Sequence, residues 1–191
     1  MKTSLFRYLL PMAFFVSLYA IQTSAEETAT INICFNYGCV TEWPVTFAPE
    51  SFNAVLKELA QAQDAKAERL ILASVIGRLY ALAAEQTPIG NDKGGNYADA
   101  GVWGRMDCID HTTTTTRFLK RIEAKGGLKW HRALEPARRT RFFVLQHLSA
   151  VIEETGGEGK RYVVDSWFVD NGEAAIILPL EDWMDGAGPD V

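Results

Sequence analysis

The order of its two apolar periods constrains this chain most. Between residues 49 and 125 three stretches, parted by a long glycine-rich loop before the third, carry apolar side chains at helical spacing, and after that they fall in short β-branched and aromatic runs. "ESFNAVLKELAQAQ" opens behind Pro49 and places Phe52, Val55, Leu56 and Leu59 on one helical face. "AKAERLILASVIGRLYALAAEQ" is a second helix, apolar nearly all round and so expected to be mostly buried, and Thr87-Pro88 ends it. A third helix starts at Cys108 and runs to Lys125, where Gly126-Gly127 stops it. "LKWHRAL", "RTRFFVLQHLSAVIEE", "KRYVVDSWFV" and "AAIILPL" then read as successive strands. Pro136, Gly156-Gly157 and Asp170-Asn171-Gly172 divide them, and "DGAGPDV" reads as a loose tail. Helices followed by a run of strands imply an α+β domain, N-terminal helices packed on an antiparallel sheet.

The N-terminus has a different grammar. Lys2 and Arg7 precede the apolar run Tyr8–Ile21, and Thr23–Ala25 ends in a small residue before Glu26 and Glu27. That is the layout of a secretory signal peptide over residues 1–25, cut after Ala25, with an uncleaved membrane anchor as the alternative. Residues 26–191 then form a single domain in the periplasm or outside the cell, without a membrane attachment once the signal is gone. The net charge of −5 becomes more negative when Lys2 and Arg7 leave. An acidic exported domain does not suit nucleic acid or anionic membranes. Residues 26–48 read as a strand or hairpin.

Export implies an oxidising compartment, which matters for Cys34, Cys39 and Cys108. Cys34 and Cys39 bracket the turn-like "FNYG", so a disulfide between them is the natural pairing; two free thiols, or a bridge to Cys108, are the alternatives. The local bridge leaves Cys108 odd, inside "RMDCIDHTTTTTRFL". Asp107 suits the N-cap of the third helix and Asp110 the matching position of a capping box. A thiolate in the first turn gains from the helix dipole, while two adjacent aspartates oppose it, so a positive partner is needed. The segment "IGNDKGGNYADAGVWGR" leads into this cysteine as a long loop, either functional or disordered.

His147 supplies the first candidate partner. Strand alternation puts it on the face of Phe143, Leu145, Ser149 and Val151, where it is either a core histidine or a site residue. Asp165, amid Val163, Val164, Trp167 and Phe168, is costly to bury alone. If the two strands are antiparallel neighbours, Asp165 can hold one ring nitrogen of His147 while the other faces Cys108. That is a nucleophile, base and orienting acid. Trp167 either shields such a site or is core.

In these residues and their order the chain resembles the bacterial transglutaminase-like cysteine peptidases of the papain-like superfamily. "DCID" looks like their D-C-x-D helix start, "HLSAVI" like their histidine strand and "YVVDSW" like their aspartate strand. The resemblance covers residues 107–168. It departs after Asp110, where His111 and Thr112 replace an aromatic residue and alanine, and after the histidine, where Leu148 and Ser149 stand. It implies a transglutaminase-like fold and cleavage or transfer at an amide bond of a protein or peptide, cell-wall peptide included, without a cofactor. The chain as a whole also resembles a group of secreted proteobacterial proteins, a likeness that implies no activity.

The mechanism expected is attack by the Cys108 thiolate, with His147 handling the proton, to give a thioester. Backbone N–H groups at the helix start would hold the oxyanion. Gln86 is a weak side-chain candidate for the same task, against an ordinary polar residue at a helix end. Two other readings compete. Cys108 and His111, at i and i+3, with Asp110, His131 and His147, are a zinc alternative, but the tight second pair of a structural zinc site is missing. Asp92, Asp99, Asp107 and Asp110 lack the EF-hand spacing for calcium. A non-catalytic binding domain, with Cys108 structural and the threonine run a packed helix face, is the other class.

Overall fold

A computed structural model describes residues 28–141 and 145–189. The expected signal peptide, with Lys2, Arg7 and Ala25, and the face residue Phe143 lie outside the described residues. The architecture is α+β, with two antiparallel sheets and, among the described residues, four α-helices. None of those helices is long and apolar enough to cross a membrane.

Strands β1 (Ala29–Phe35) and β2 (Thr41–Phe47) form the N-terminal hairpin, and a Cys34–Cys39 disulfide closes its turn. Asn36, Tyr37, Gly38 and Cys39 all have left-handed φ, between 57° and 68°. For the three that are not glycine this costs on the order of 1–2 kcal/mol each, so something must hold them there. Helix α1 (Pro49–Leu59) buries Phe52, Val55 and Leu59, as its spacing requires. Helix α2 (Ala65–Ala84) starts at an Asp64 cap and buries Leu72, Val75, Ile76, Leu79, Tyr80 and Ala83. It is less enclosed than its composition suggests, because Leu70 is 66 % exposed.

Helix α3 (Cys108–Ala124) lies between the hairpin and the larger sheet. Gly126, with φ at 70°, lets Gly126 N–H and Gly127 N–H reach back to Glu123 O and Ile122 O, which stops the helix. Thr112, Thr114, Thr115 and Thr116 are buried. The threonine run is therefore a packed face, compact enough for α3 to approach the sheet despite the poor helix propensity of β-branched residues.

The larger sheet has the order β3-β4-β5-β6, with β3 His131–Arg141, β4 Leu145–Glu154, β5 Arg161–Asp165 and β6 Ile176–Pro179, all antiparallel. Two expectations fail here. Pro136 does not end a strand: β3 runs straight through it, and Arg139–Arg141 belong to β3 rather than to the histidine strand. The reason is position. β3 is an edge strand, and a register shift between Leu134 and Ala137 absorbs the proline, which has no N–H to give. The second failure is the C-terminus. Helix α4 (Leu180–Met184) follows β6, and Arg139 Nη1 donates to Ala187 O at 2.8 Å, so the segment read as a loose tail is tied to β3.

Candidate functional site

Three elements meet at one end of the larger sheet: the start of α3, the start of β4 and the end of β5. The β4–β5 register pairs Ala150 with Val164, which places Asp165 opposite Ser149 and diagonal to His147. His147 Nε2–H donates to Asp165 Oδ2 at 2.7 Å. Trp183 Nε1–H donates to the same oxygen at 3.1 Å, and the Trp167 backbone N–H reaches Oδ1 at 3.3 Å. The buried carboxylate thus has a partner on each oxygen, which is what allows it to sit among apolar neighbours. The rings of Trp167, Phe168 and Trp183 stand 4.9, 5.3 and 5.6 Å from the imidazole and exclude water from it. Trp167 is therefore both core and a wall of the site.

Cys108 is a free, half-buried thiol at the first position of α3. It acts on the imidazole that Asp165 holds. Burial alone lowers the pKa of His147. The Asp165 hydrogen bond and the hydrogen-bonding and Coulombic pull of Cys108 outweigh burial and raise it to about 9. At neutral pH the ring is accordingly an imidazolium.

Asp107 and Asp110 form the expected capping box: Asp107 Oδ1 accepts from the N–H groups of Ile109 and Asp110, and Asp110 Oδ2 from that of Asp107. His111 N–H goes to Asp107 O. Among the described residues, Cys108 N–H is the one donor of this first turn without an acceptor.

Gln86 does not join the site. Its amide oxygen accepts from Thr46 N–H at 3.2 Å and its amide nitrogen donates to Thr46 O at 3.0 Å, so its amide closes the end of α2 onto β2. The zinc grouping is also dispersed. His111 Nε2–H donates to Asp92 Oδ2 at 2.8 Å and Nδ1 meets Ser166 Oγ at 2.9 Å. His131 pairs with Glu68 Oε1 at 2.8 Å on α2. Asp99 is engaged by Tyr37 and Arg105, so the acidic residues of the loop are occupied one by one.

The glycine-rich loop proves ordered, and it frames the cysteine. Gly95 N–H donates to Trp167 O at 2.8 Å, and Lys93 Nζ meets Asp170 Oδ2 at 2.6 Å, so the loop is laid along the turn that follows β5. Asp92 Oδ1 accepts from Met106 N–H at 2.8 Å, fixing the chain two residues before Cys108. Gly104 has φ of 88°, and a Cβ there would stand 2.2 Å from Pro88 O, so this close approach requires glycine. Tyr97 packs at a tilt against Trp167, with centroids 4.7 Å apart, while remaining 65 % exposed. A surface groove also lies at the other end of the sheet, between Arg132, Glu153, Lys160 and Leu180.

Sequence reading missed Trp183, Asp92, Ser166 and Tyr80 as supports. Tyr80 OH donates to His111 O at 3.1 Å and meets Thr115 Oγ1 at 3.0 Å, and Thr115 Oγ1 meets Ser166 Oγ at 2.9 Å. This buried network ties α2, α3 and the end of β5 together directly behind Asp165. Its one legible signal was a tyrosine on an apolar helix, a residue that needs a hydroxyl partner when buried.

Comparison with protein-family models, with curated proteins and with solved structures finds no match to this chain.

Proposed function

We propose that the protein is a cysteine-dependent hydrolase or acyltransferase of transglutaminase-like type, acting on an amide bond of a peptide or isopeptide substrate, cell-wall peptides included. The observation that carries this reading is the 2.7 Å bond from His147 Nε2 to Asp165 Oδ2, on a ring that also answers to Cys108 at the head of α3. Asp165 fixes the ring and balances its charge. Deprotonated Cys108 attacks the carbonyl carbon while Cys108 N–H, free in the helix's first turn, donates to the developing oxyanion. The His147 imidazolium gives its proton to the leaving amine, and a thioester forms. Water, or a second amine, deprotonated by His147, then releases the acyl group. No cofactor enters these steps. The Cys34–Cys39 bridge accords with an oxidising compartment, and so supports export with removal of residues 1–25.

The test begins with the nucleophile. Cys108 is the free thiol beside the bridged pair, so iodoacetamide should add one carbamidomethyl group per folded chain, read by mass spectrometry. His147→Ala should slow that reaction at least about tenfold. Wild type and Cys108→Ala are then incubated with periplasmic protein and peptidoglycan fractions. Amide products made by the first chain and not the second support the reading. A Cys108 that alkylates no faster than an unfolded-peptide cysteine, indifferent to His147→Ala, overturns it.

A further inference from the structure

The two aspartates beside Cys108 oppose a thiolate, and the chain meets that opposition from a place remote in sequence. Three consecutive backbone N–H groups of the disulfide-closed turn point at them. Tyr37 N–H donates to Asp110 Oδ2 at 2.8 Å, Gly38 N–H to Asp107 Oδ2 at 3.0 Å and Cys39 N–H to Asp110 Oδ1 at 2.6 Å. With the donors from Asp107, Ile109 and Asp110 themselves, six N–H dipoles surround two carboxylates. Successive N–H groups converge on an anion in this way only in unusual backbone conformations. Here the conformation is the left-handed run from Asn36 to Cys39, three of whose residues are not glycine. Nothing in such residues favours that run by itself; the Cys34–Cys39 bridge holds its two ends together. The turn is also seated from the other side, since Asn36 N–H donates to Arg105 O at 2.8 Å and Gly104 N–H to Asn36 Oδ1 at 2.9 Å. Asp110 is fully buried, and even with these donors burial pushes its carboxyl up to about 6, so its charge has little solvent to fall back on.

We infer that the disulfide-closed turn is a positioning element for Cys108: its N–H groups absorb the negative charge of Asp107 and Asp110, so that this charge does not act on the sulfur and the head of α3 keeps its geometry. Cys34 and Cys39 touch no reacting atom in this scheme; they act through the two carboxylates. The inference rests on the reading of Cys108 as a reactive thiol.

The experiment measures iodoacetamide alkylation of Cys108 at pH 7.5 in five chains: wild type, Cys34→Ala/Cys39→Ala, the same pair with Asp110→Asn, Asp110→Asn alone, and His147→Ala. Circular dichroism checks that each is folded. The unbridged pair should react about tenfold more slowly than wild type. Adding Asp110→Asn to it should recover most of that rate, because the charge left exposed by the lost donors is gone. A merely structural bridge predicts no such recovery. An unbridged chain that reacts at the wild-type rate, or one that Asp110→Asn fails to rescue, overturns the inference. If the unbridged chains do not fold, Asp110→Asn alone decides: a rate at or above wild type supports the inference, and a tenfold loss overturns it. His147→Ala separates the two levels. A fast wild type slowed by His147→Ala but untouched by loss of the bridge sinks the inference alone, whereas a slow wild type indifferent to His147→Ala sinks the reading beneath it.

Discussion

Replacing Asp165 by Asn tests the electrostatics of the site without changing its size. The side chain of His147 is 8 % exposed and its pKa is raised from 6.5 to about 9. A raised folded pKa means that the native state holds the proton more tightly than the unfolded chain does. Its stabilisation is complete below pH 6.5 and is lost as pH rises through 9. Proton linkage between those two values gives about 3 kcal/mol at pH 6.5 and under about 0.5 kcal/mol at pH 9. In Asp165→Asn the ring loses its principal counter-charge while its burial, which lowers the pKa, remains. The amide NH2 must then face a donor: either Trp167 N–H at the Oδ1 position, or both His147 Nε2–H and Trp183 Nε1–H at the Oδ2 position. Urea unfolding of both chains at pH 6.5, 7.5 and 9 gives the comparison, and groups common to both chains cancel in the difference. Wild type should exceed the variant by about 2–3 kcal/mol at pH 6.5, with the gap closing by about 2 kcal/mol at pH 9. Alkylation of Cys108 should slow in parallel. A gap that stays constant across this range would refute the reasoning, since it would mean that Asp165 supports packing and not the charge on His147.

Five further variants test the same geometry. Cys108→Ala should lower the His147 pKa, measured by NMR of the ring protons, because the sulfur is one of the groups that raise it. His111→Ala leaves the buried Asp92 carboxylate without its imidazole and should cost about 3 kcal/mol in urea unfolding, whereas Ser166→Ala, which removes one hydroxyl from the network, should cost about 1 kcal/mol. Gly104→Ala should cost about 3 kcal/mol, since it combines a positive φ with backbone overlap at Pro88, and it should also disturb Cys108 alkylation through the loop it anchors. Gln86→Ala should leave that alkylation unchanged, because its amide is held against Thr46 of β2.

The pairing of His147 with Asp165 was legible because strand alternation and a short connection decide which side chains can meet across neighbouring strands. The helix start at Cys108 was legible because Asp107 and Asp110 stand at the two capping positions. The local Cys34–Cys39 bridge followed from spacing. What stayed hidden was long-range. Pro136 is a turn residue by local preference, and only the position of β3 at the sheet edge lets it remain in a strand. Gln86 has the chemistry of an oxyanion donor, but the chain leaves α2 in a direction that gives its amide to β2. The donors that surround Asp110 come from a turn some 70 residues earlier, and main-chain N–H groups carry no signature in the letters of a sequence.

The bulged proline of β3 has a consequence for how molecules of this protein meet one another. A strand as long as His131–Arg141 at the border of a sheet is a place where another extended chain could pair, and only part of it is covered, by Glu123 Oε1 on Ala133 N–H at 3.3 Å. Pro136 puts a residue without an N–H in the middle of that strand, and the register shift beside it takes the strand out of line. Arg132 and Arg138 place charge along it. The opposite border, β6, is only four residues long and ends at Pro179. Both borders thus resist sheet-to-sheet aggregation, and Pro136→Val, by restoring the missing donor, should make concentrated solutions of the protein more prone to form β-rich aggregates, as read by thioflavin fluorescence.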